Sequence, residues 1–153
     1  MSMVDQLANT EIADLMHGSP VSVPSSENLG NVVDTMKDRF GAMLVVDDGK
    51  LTGIFTERDV MDRVDLAGDW RQIPVGEVMT RQPKTLKPSS TLSETISMMS
   101  KGRFRHVPVV DGDELVGIVS IRDVMTHAVE RFPKDFLNLP PGPNSEASGP
   151  WGG

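Results

Sequence analysis

Two short stretches set a hydroxyl, an arginine and a carboxylate in the same order: Thr56-Glu57-Arg58-Asp59 and Ser120-Ile121-Arg122-Asp123. Each follows a glycine and two apolar residues, Gly53-Ile54-Phe55 and Gly117-Ile118-Val119. That pattern reads as a strand running into a helix, and such a corner can do two things. It can cap the helix: the hydroxyl accepts the N–H three residues on, and the carboxylate reaches back, with Asp in place of the usual Glu. It can also hold a ligand. A helix start aims free N–H groups and partial positive charge at one spot, where an anion can sit. A hydroxyl there can bond a phosphate oxygen, and a carboxylate there can accept from two ribose hydroxyls. Capping alone accounts for one such stretch. Its recurrence in two halves of one chain weighs toward the ligand, and both readings stay open.

Other chemistries are unmarked. There is no G-x-x-x-x-G-K-[ST], no G-x-G-x-x-G after a strand and no H-E-x-x-H. The histidines are His17, His106 and His127, and no two are spaced i, i+4. No cysteine is present, so disulfides and thiolate metal sites are excluded. We expect a binding device, not an enzyme.

The elements that would position these corners come as a repeat. Glu11-Ile-Ala-Asp-Leu-Met16 aligns with Pro74-Val-Gly-Glu-Val-Met79 at an offset of 63. Leu29 falls on Leu92 and Met36 on Met99. After one inserted residue the offset becomes 64: Phe40 meets Phe104, Val45-Val46-Asp47 meets Val109-Val110-Asp111, and Arg58-Asp59-Val60-Met61 meets Arg122-Asp123-Val124-Met125. Each copy reads β-α-β-β-α. A short strand (Val21–Val23; Thr85–Leu86) lies among prolines. A helix follows with apolar residues at helical spacing (Leu29, Val32, Val33, Met36, Phe40; Leu92, Thr95, Ile96, Met99). Strands Met43–Val46 and Leu51–Phe55 flank an Asp-Gly turn, as do Val107–Val110 and Leu115–Val119. The last helix presents Val60, Met61 and Val64, or Val124, Met125 and Ala128. The class is therefore α/β in the α+β sense. One copy alone would bury too little surface to be stable; two sharing a core would not. Met16, Met36, Met79 and Met99 read as core filler.

We expect repeat 1 over 11–66, repeat 2 over 74–130 and a Pro/Gly-rich tail over 131–153. Residues 67–73 would link the two copies. The tail carries prolines at 133, 140, 141, 143 and 150 and reads as extended or disordered, with Phe136, Leu137 and Trp151 able to dock locally. No apolar run is long enough for a membrane helix, and the acidic start is unlike a signal peptide. A cytoplasmic, soluble protein is expected.

Charge is uneven. Residues 11–66 hold 11 acids and 5 bases, whereas 74–130 hold 7 of each. Arg81, Lys84, Lys87, Lys101, Arg103 and Arg105 face only Glu77 and Glu94 up to residue 110. An acidic chain is a poor general binder of nucleic acid, which needs phosphate neutralised. The basic cluster suits a small anion or is a solvated face.

The repeat, with P-x-[ST]-[VL] at its start, V-V-D in its hairpin and G-h-h-[TS]-x-R-D at its end, resembles the CBS-domain family over about residues 11–130. The resemblance implies two units packed as a pseudo-two-fold sandwich, a Bateman module. It also implies clefts between them for adenosyl ligands (AMP, ADP, ATP or S-adenosylmethionine), with or without Mg2+ and with no other cofactor. It further implies a homodimer acting on itself or on a separate regulated protein. By that resemblance Thr56, Arg58 and Asp59, with Ile54 at the base pocket, would join Lys84, Thr85, Arg105, His106 and Pro108 in one competent cleft. A second, weaker cleft would join Ser120, Arg122 and Asp123 to Val21, Val23 and Gly41–Met43, including Ala42. It would lack the basic residues, with Val21, Gly41 and Ala42 at the places matching Lys84, Arg105 and His106. The rival expectation is a ligand-free interaction module.

Overall fold

The computed structural model describes residues 2–16, 20–38 and 41–133. His17, Phe40 and the tail from 134 onward lie outside the described residues.

Both hairpins form, and they form alike. Strand β2 (Ala42–Asp47) pairs antiparallel with β3 (Lys50–Thr56), with a bulge between Val45 and Val46. Strand β5 (His106–Asp111) pairs with β6 (Glu114–Ser120), with its bulge between Val109 and Val110. The bulges sit at repeat-matched places, so register is written into each copy. The turns close differently. Asp48 and Gly49 both take positive φ (51° and 78°), whereas in the second turn Gly112 does so at 63° and Asp113 does not. The helices are α2 (Leu29–Met36) and α3 (Glu57–Arg63) in the first repeat, α4 (Leu92–Gly102) and α5 (Ile121–Arg131) in the second. Strand β3 lies against β6, which brings the two sheets face to face. The result is the expected pseudo-two-fold sandwich of two repeats, β-α-β-β-α in the first and α-β-β-α in the second, where a single bridge at Leu86 stands in for the opening strand.

Each repeat's opening segment is given to the other repeat's core. A 3₁₀ turn at Ile12–Leu15 buries Ile12 and Leu15 among Leu86, Leu92, Met99, Val107, Val109, Val119 and Val124. Its mate at Val75–Glu77 buries Val75, followed by Val78 and Met79, among Leu29, Val32, Met36, Met43, Val45 and Phe55. The backbone bonds are reciprocal. Ile12 N–H donates to Ser90 O at 2.9 Å and Leu92 N–H to Thr10 O at 2.8 Å. In the other half Val75 N–H donates to Glu27 O at 2.9 Å and Leu29 N–H to Ile73 O at 2.8 Å. All four pairs obey the 63-residue offset. The motif glycines serve this exchange: a Cβ on Gly53 would collide with the Met79 sulfur, and one on Gly117 with the Met16 sulfur. The repeat-matched methionines thus sit at, or against, buried positions, and neither core is complete without the other repeat.

Several local expectations need correction. Val21 precedes β1, which is only Ser22–Val23, parallel to β2. Thr85–Leu86 is no strand; Leu86 makes a single parallel bridge to Val109 because proline 83 and proline 88 hem the segment in. A strand unseen in the sequence, β4 (Thr80–Arg81), pairs with β3 instead. A capped helix that the sequence pattern does not mark, α1 (Met3–Ala8), packs on α4. Met61 and Met125, read as core-facing, are 84% and 51% exposed. Each lies one step round its helix from the inward residues, Val60 in α3 and Val124 with Ala128 in α5. Ile96 is likewise turned outward, at 45% exposure.

Candidate functional site

The two hydroxyl–carboxylate corners form as helix starts, and they differ. Thr56 precedes α3 in extended conformation, φ −129° and ψ 173°. Its N–H donates to Asp59 Oδ2 at 2.9 Å, and its hydroxyl to the same oxygen at 3.4 Å. The other oxygen, Oδ1, accepts from the Thr80 hydroxyl at 2.9 Å and pairs with Arg63 Nε at 3.4 Å. Arg63 Nη1 also donates to Met79 O at 3.2 Å. Asp59 is 4% exposed and thereby fastens α3 to β4. Both of its carboxylate oxygens accept from donors within the protein. Helix α3 also spans only two turns, so its own end offers little for an anion.

Ser120 donates its N–H to Asp123 Oδ2 at 2.8 Å and its hydroxyl to the same oxygen at 3.0 Å. Asp123 N–H returns to Ser120 Oγ at 3.2 Å, completing the reciprocal cap. These bonds converge on Oδ2 alone. Asp123 is half-buried, and with Ser120, Arg122, Asp14, His127 and Glu130 it lines a small cavity of about 150 Å³.

Between the two corners lie two adjoining clefts. One, about 300 Å³, has Thr56, Glu57, Arg58 and Met61 on one side and Arg103, Phe104, Arg105 and His106 on the other. The next, about 570 Å³, has Lys37, Asp38, Gly41 and Glu57 facing Arg105, His106, Ser120, Ile121 and Arg122. Five or more cations from both repeats thus surround two acids. The structure brings together Thr56, Arg58, Arg105 and His106 as expected, but not their other intended companions. Lys84 lines a separate cleft along α4, with Ser93, Ser97 and Lys101. Thr85 lines none of these cavities. Ile54 and Pro108 are buried in their hairpins, paired with Leu44 and Ile118. Val21 and Val23 pack against the first core, and Ala42 pairs with Thr56 across β2 and β3.

Arg105 and His106 line both openings, because β5 starts where the repeats meet. Lys37 and Glu57 had no sequence signal as site residues. Arg103 was visible only as one of a basic run. It closes α4 in the left-handed conformation, φ 55° and ψ 40°, which costs an L-residue about 1–2 kcal/mol and usually falls to glycine. Among the described residues, no cluster of His, Asp or Glu is arranged to hold a metal ion.

A sheet-to-sheet pair of such repeats, meeting at two capped corners, defines a CBS-type regulatory module. The chain belongs to the CBS-domain family, which it matches over residues 12–65 and again over 75–130. The CBS domain-containing protein YhcV of Bacillus subtilis is 31% identical over 116 residues, covering 75% of this chain and 83% of that protein. An uncharacterized 33.4 kDa protein of a ribosomal RNA operon in Thermofilum pendens is 38% identical over 110 residues, but this chain spans only 36% of it. The CBS domain pair of protein MJ0100, solved in complex with 5′-methylthioadenosine and S-adenosyl-L-methionine, superposes with a TM-score of 0.70 at 27% identity, covering 80% of this chain and 98% of that one. No helix among the described residues is long and apolar enough to cross a membrane.

Proposed function

We propose that this CBS pair is a sensor for an adenosine-containing ligand, bound between its repeats with the phosphate end on Arg105 and His106. The observation that carries the reading is the convergence of Thr56 and Arg58 from one repeat with Arg105 and His106 from the other on one cleft. Guanidinium groups in fork geometry suit phosphate oxygens, and a cleft split across two units responds to its ligand by changing their relation. The adenosyl ligands of the MJ0100 pair support the choice of base. Asp59 acts as the anchor beneath Thr56. A ligand that prefers one arrangement of the repeats shifts the population toward it by its differential affinity. AMP, ADP, ATP with or without Mg2+ and S-adenosylmethionine remain the candidate signals. The test is thermal unfolding of the chain with each of these and with GTP. At 100-fold excess over Kd a native-state ligand adds about 2.7 kcal/mol, a rise of several degrees. That rise should shrink in Arg105→Ala and Arg58→Ala. A midpoint unmoved by every adenosyl ligand sinks the reading.

One observation favours a second reading, an interaction module built as a homodimer. Met61 and Met125 occupy matched places on α3 and α5 and are both exposed, as is Ile121 at 36%. Large apolar groups paired on one kind of surface suit a self-complementary contact. Sedimentation of the parent and of Met61→Glu/Met125→Glu distinguishes the cases: a dimer that survives both changes does not use this face.

A further inference from the structure

The two repeats cover their first helices differently. In repeat 1 the linker turn Trp70–Gln72 lies along α2. Arg71 rests on Gly30, where a Cβ would come within 3.0 Å of its side chain, and its Nη2 bonds Asp34 Oδ2 at 2.6 Å. Trp70 packs on the first core. The matching segment in the other half is the end of α1, since Leu92 N–H donates to Thr10 O as Leu29 N–H donates to Ile73 O. There Leu7 stands for Trp70 and packs on the second core, but Ala8 stands for Arg71. A methyl group takes the place of a guanidinium arm. A cleft of about 600 Å³ opens along the same stripe of α4, over Ser93, Ser97 and Lys101.

The charge along that stripe is reversed. Gly30, Asp34 and Asp38 of α2 and the residue after it match Ser93, Ser97 and Lys101 of α4. Lys84, which also lines the cleft, stands where repeat 1 has Val21. Met98 gives the cleft an apolar wall, and Glu94 in its lining turns its carboxylate back to the Thr91 N–H at 3.1 Å. We infer that this cleft receives an acidic segment of a partner protein, laid along α4 as Trp70–Gln72 is laid along α2, with carboxylates on Lys84 and Lys101 and an apolar neighbour on Met98. Two observations select that occupant. The matched groove of the same chain already holds a peptide segment through an ion pair. In this groove the fixed charges have the opposite sign, so complementarity calls for acids on the incoming segment. The serine hydroxyls add donors for carboxylate oxygens. Both lysines are exposed, so the contact weakens as salt is raised. The site stands apart from the clefts between the repeats and needs no adenosyl ligand.

The test is fluorescence anisotropy of the full chain with a short labelled peptide carrying one leucine among glutamates, and with its glutamine counterpart. The glutamate peptide should bind at low salt, and the glutamine peptide should bind roughly tenfold more weakly, as should the glutamate peptide to Lys84→Glu/Lys101→Glu, since two exposed ion pairs are lost in each case. Ser97→Trp, which fills the cleft without changing its charge, should also weaken the glutamate peptide. An unchanged unfolding midpoint of each variant shows that the loss is local. Equal affinity for the two peptides, binding untouched by both variants, or no binding at low salt overturns the inference. Self-association of the chain that Lys84→Glu/Lys101→Glu abolishes, seen by sedimentation, assigns the face to a second copy and overturns the partner.

Discussion

Asp59 and Asp123 hold the same place in two copies of one motif, yet their surroundings diverge. Four donor groups converge on Asp59, from Thr56, Thr80 and Arg63. Among the described residues, Asp123 accepts from the N–H and hydroxyl of Ser120, its own cap. The places matching Arg63 and Thr80 are His127 and His17, neither the same residue type. A carboxylate tied to its own cap and to another strand fastens two elements together; one tied to its own cap fastens the start of its helix. The same contrast runs through the acid-rich first repeat. Asp47 accepts from Ser25 N–H at 2.9 Å and from the Thr52 hydroxyl at 2.9 Å, whereas Asp111, its mate, is exposed. The places matching Ser25 and Thr52 are Pro88 and Val116, which offer no such donors. Duplication thus preserved the frame and divided the labour of its carboxylates.

The largest expected effect breaks the comparison at its centre. Asp59→Ala strands the Thr80 hydroxyl, Arg63 and the Thr56 N–H, and should cost about 2–3 kcal/mol of stability, given that bonds to charged groups are worth about 1.5–3. Asp123→Ala removes only a cap and should cost about 0.5–2 kcal/mol. Chemical denaturation of both variants checks the order, and equal losses would erase the distinction between anchor and cap. Thr80→Val sharpens it further. Loss of one hydrogen bond to the Asp59 carboxylate should cost about 1.5 kcal/mol, with nucleotide affinity unchanged.

Arg103→Gly separates stability from function. It relieves the left-handed strain at the end of α4 and should raise stability by up to about 1 kcal/mol, less the chain entropy that glycine adds. It also removes a cation from the cleft beside Arg58, so nucleotide affinity should fall. A variant that is both more stable and equally tight would mean that Arg103 faces the cleft without serving it.

The smallest effect is electrostatic and concerns two carboxylates of the first repeat. The Arg71 hydrogen bond to Asp34, 2.6 Å long, holds that carboxyl below its ordinary pKa despite some desolvation, with help from the charges of Arg71 and Lys37. The Ser25 N–H and the Thr52 hydroxyl do the same for Asp47. A depressed folded-state pKa adds stability that is present above the ordinary carboxylate range and is lost as pH falls through the folded-state value. Acid unfolding of Arg71→Ala should therefore show a shallower loss below about pH 4 than the parent. An unchanged acid limb would mean that this exposed pair contributes nothing, as many surface pairs do.

What the sequence determined by itself was local or repeated. The hairpins were legible because Asp-Gly turns and alternating apolar residues specify them within a dozen positions. The caps at Thr56 and Ser120 were legible because a hydroxyl and a carboxylate three apart can meet only in that turn. Two units were legible because one indel aligns them. The tertiary structure decided everything that depended on the partner repeat. Nothing in Ile12–Leu15 says whose core it fills, since burial there comes from residues some 75 to 110 positions away. Met61 and Met125 fit a core by spacing, but a helix packed on one side leaves the residue one step round in water. Asp59 and Asp123 look interchangeable on paper. Their roles parted only when β4 crossed to the first repeat and set Thr80 against one of them, while Arg105 and His106 came to stand between two clefts instead of inside one.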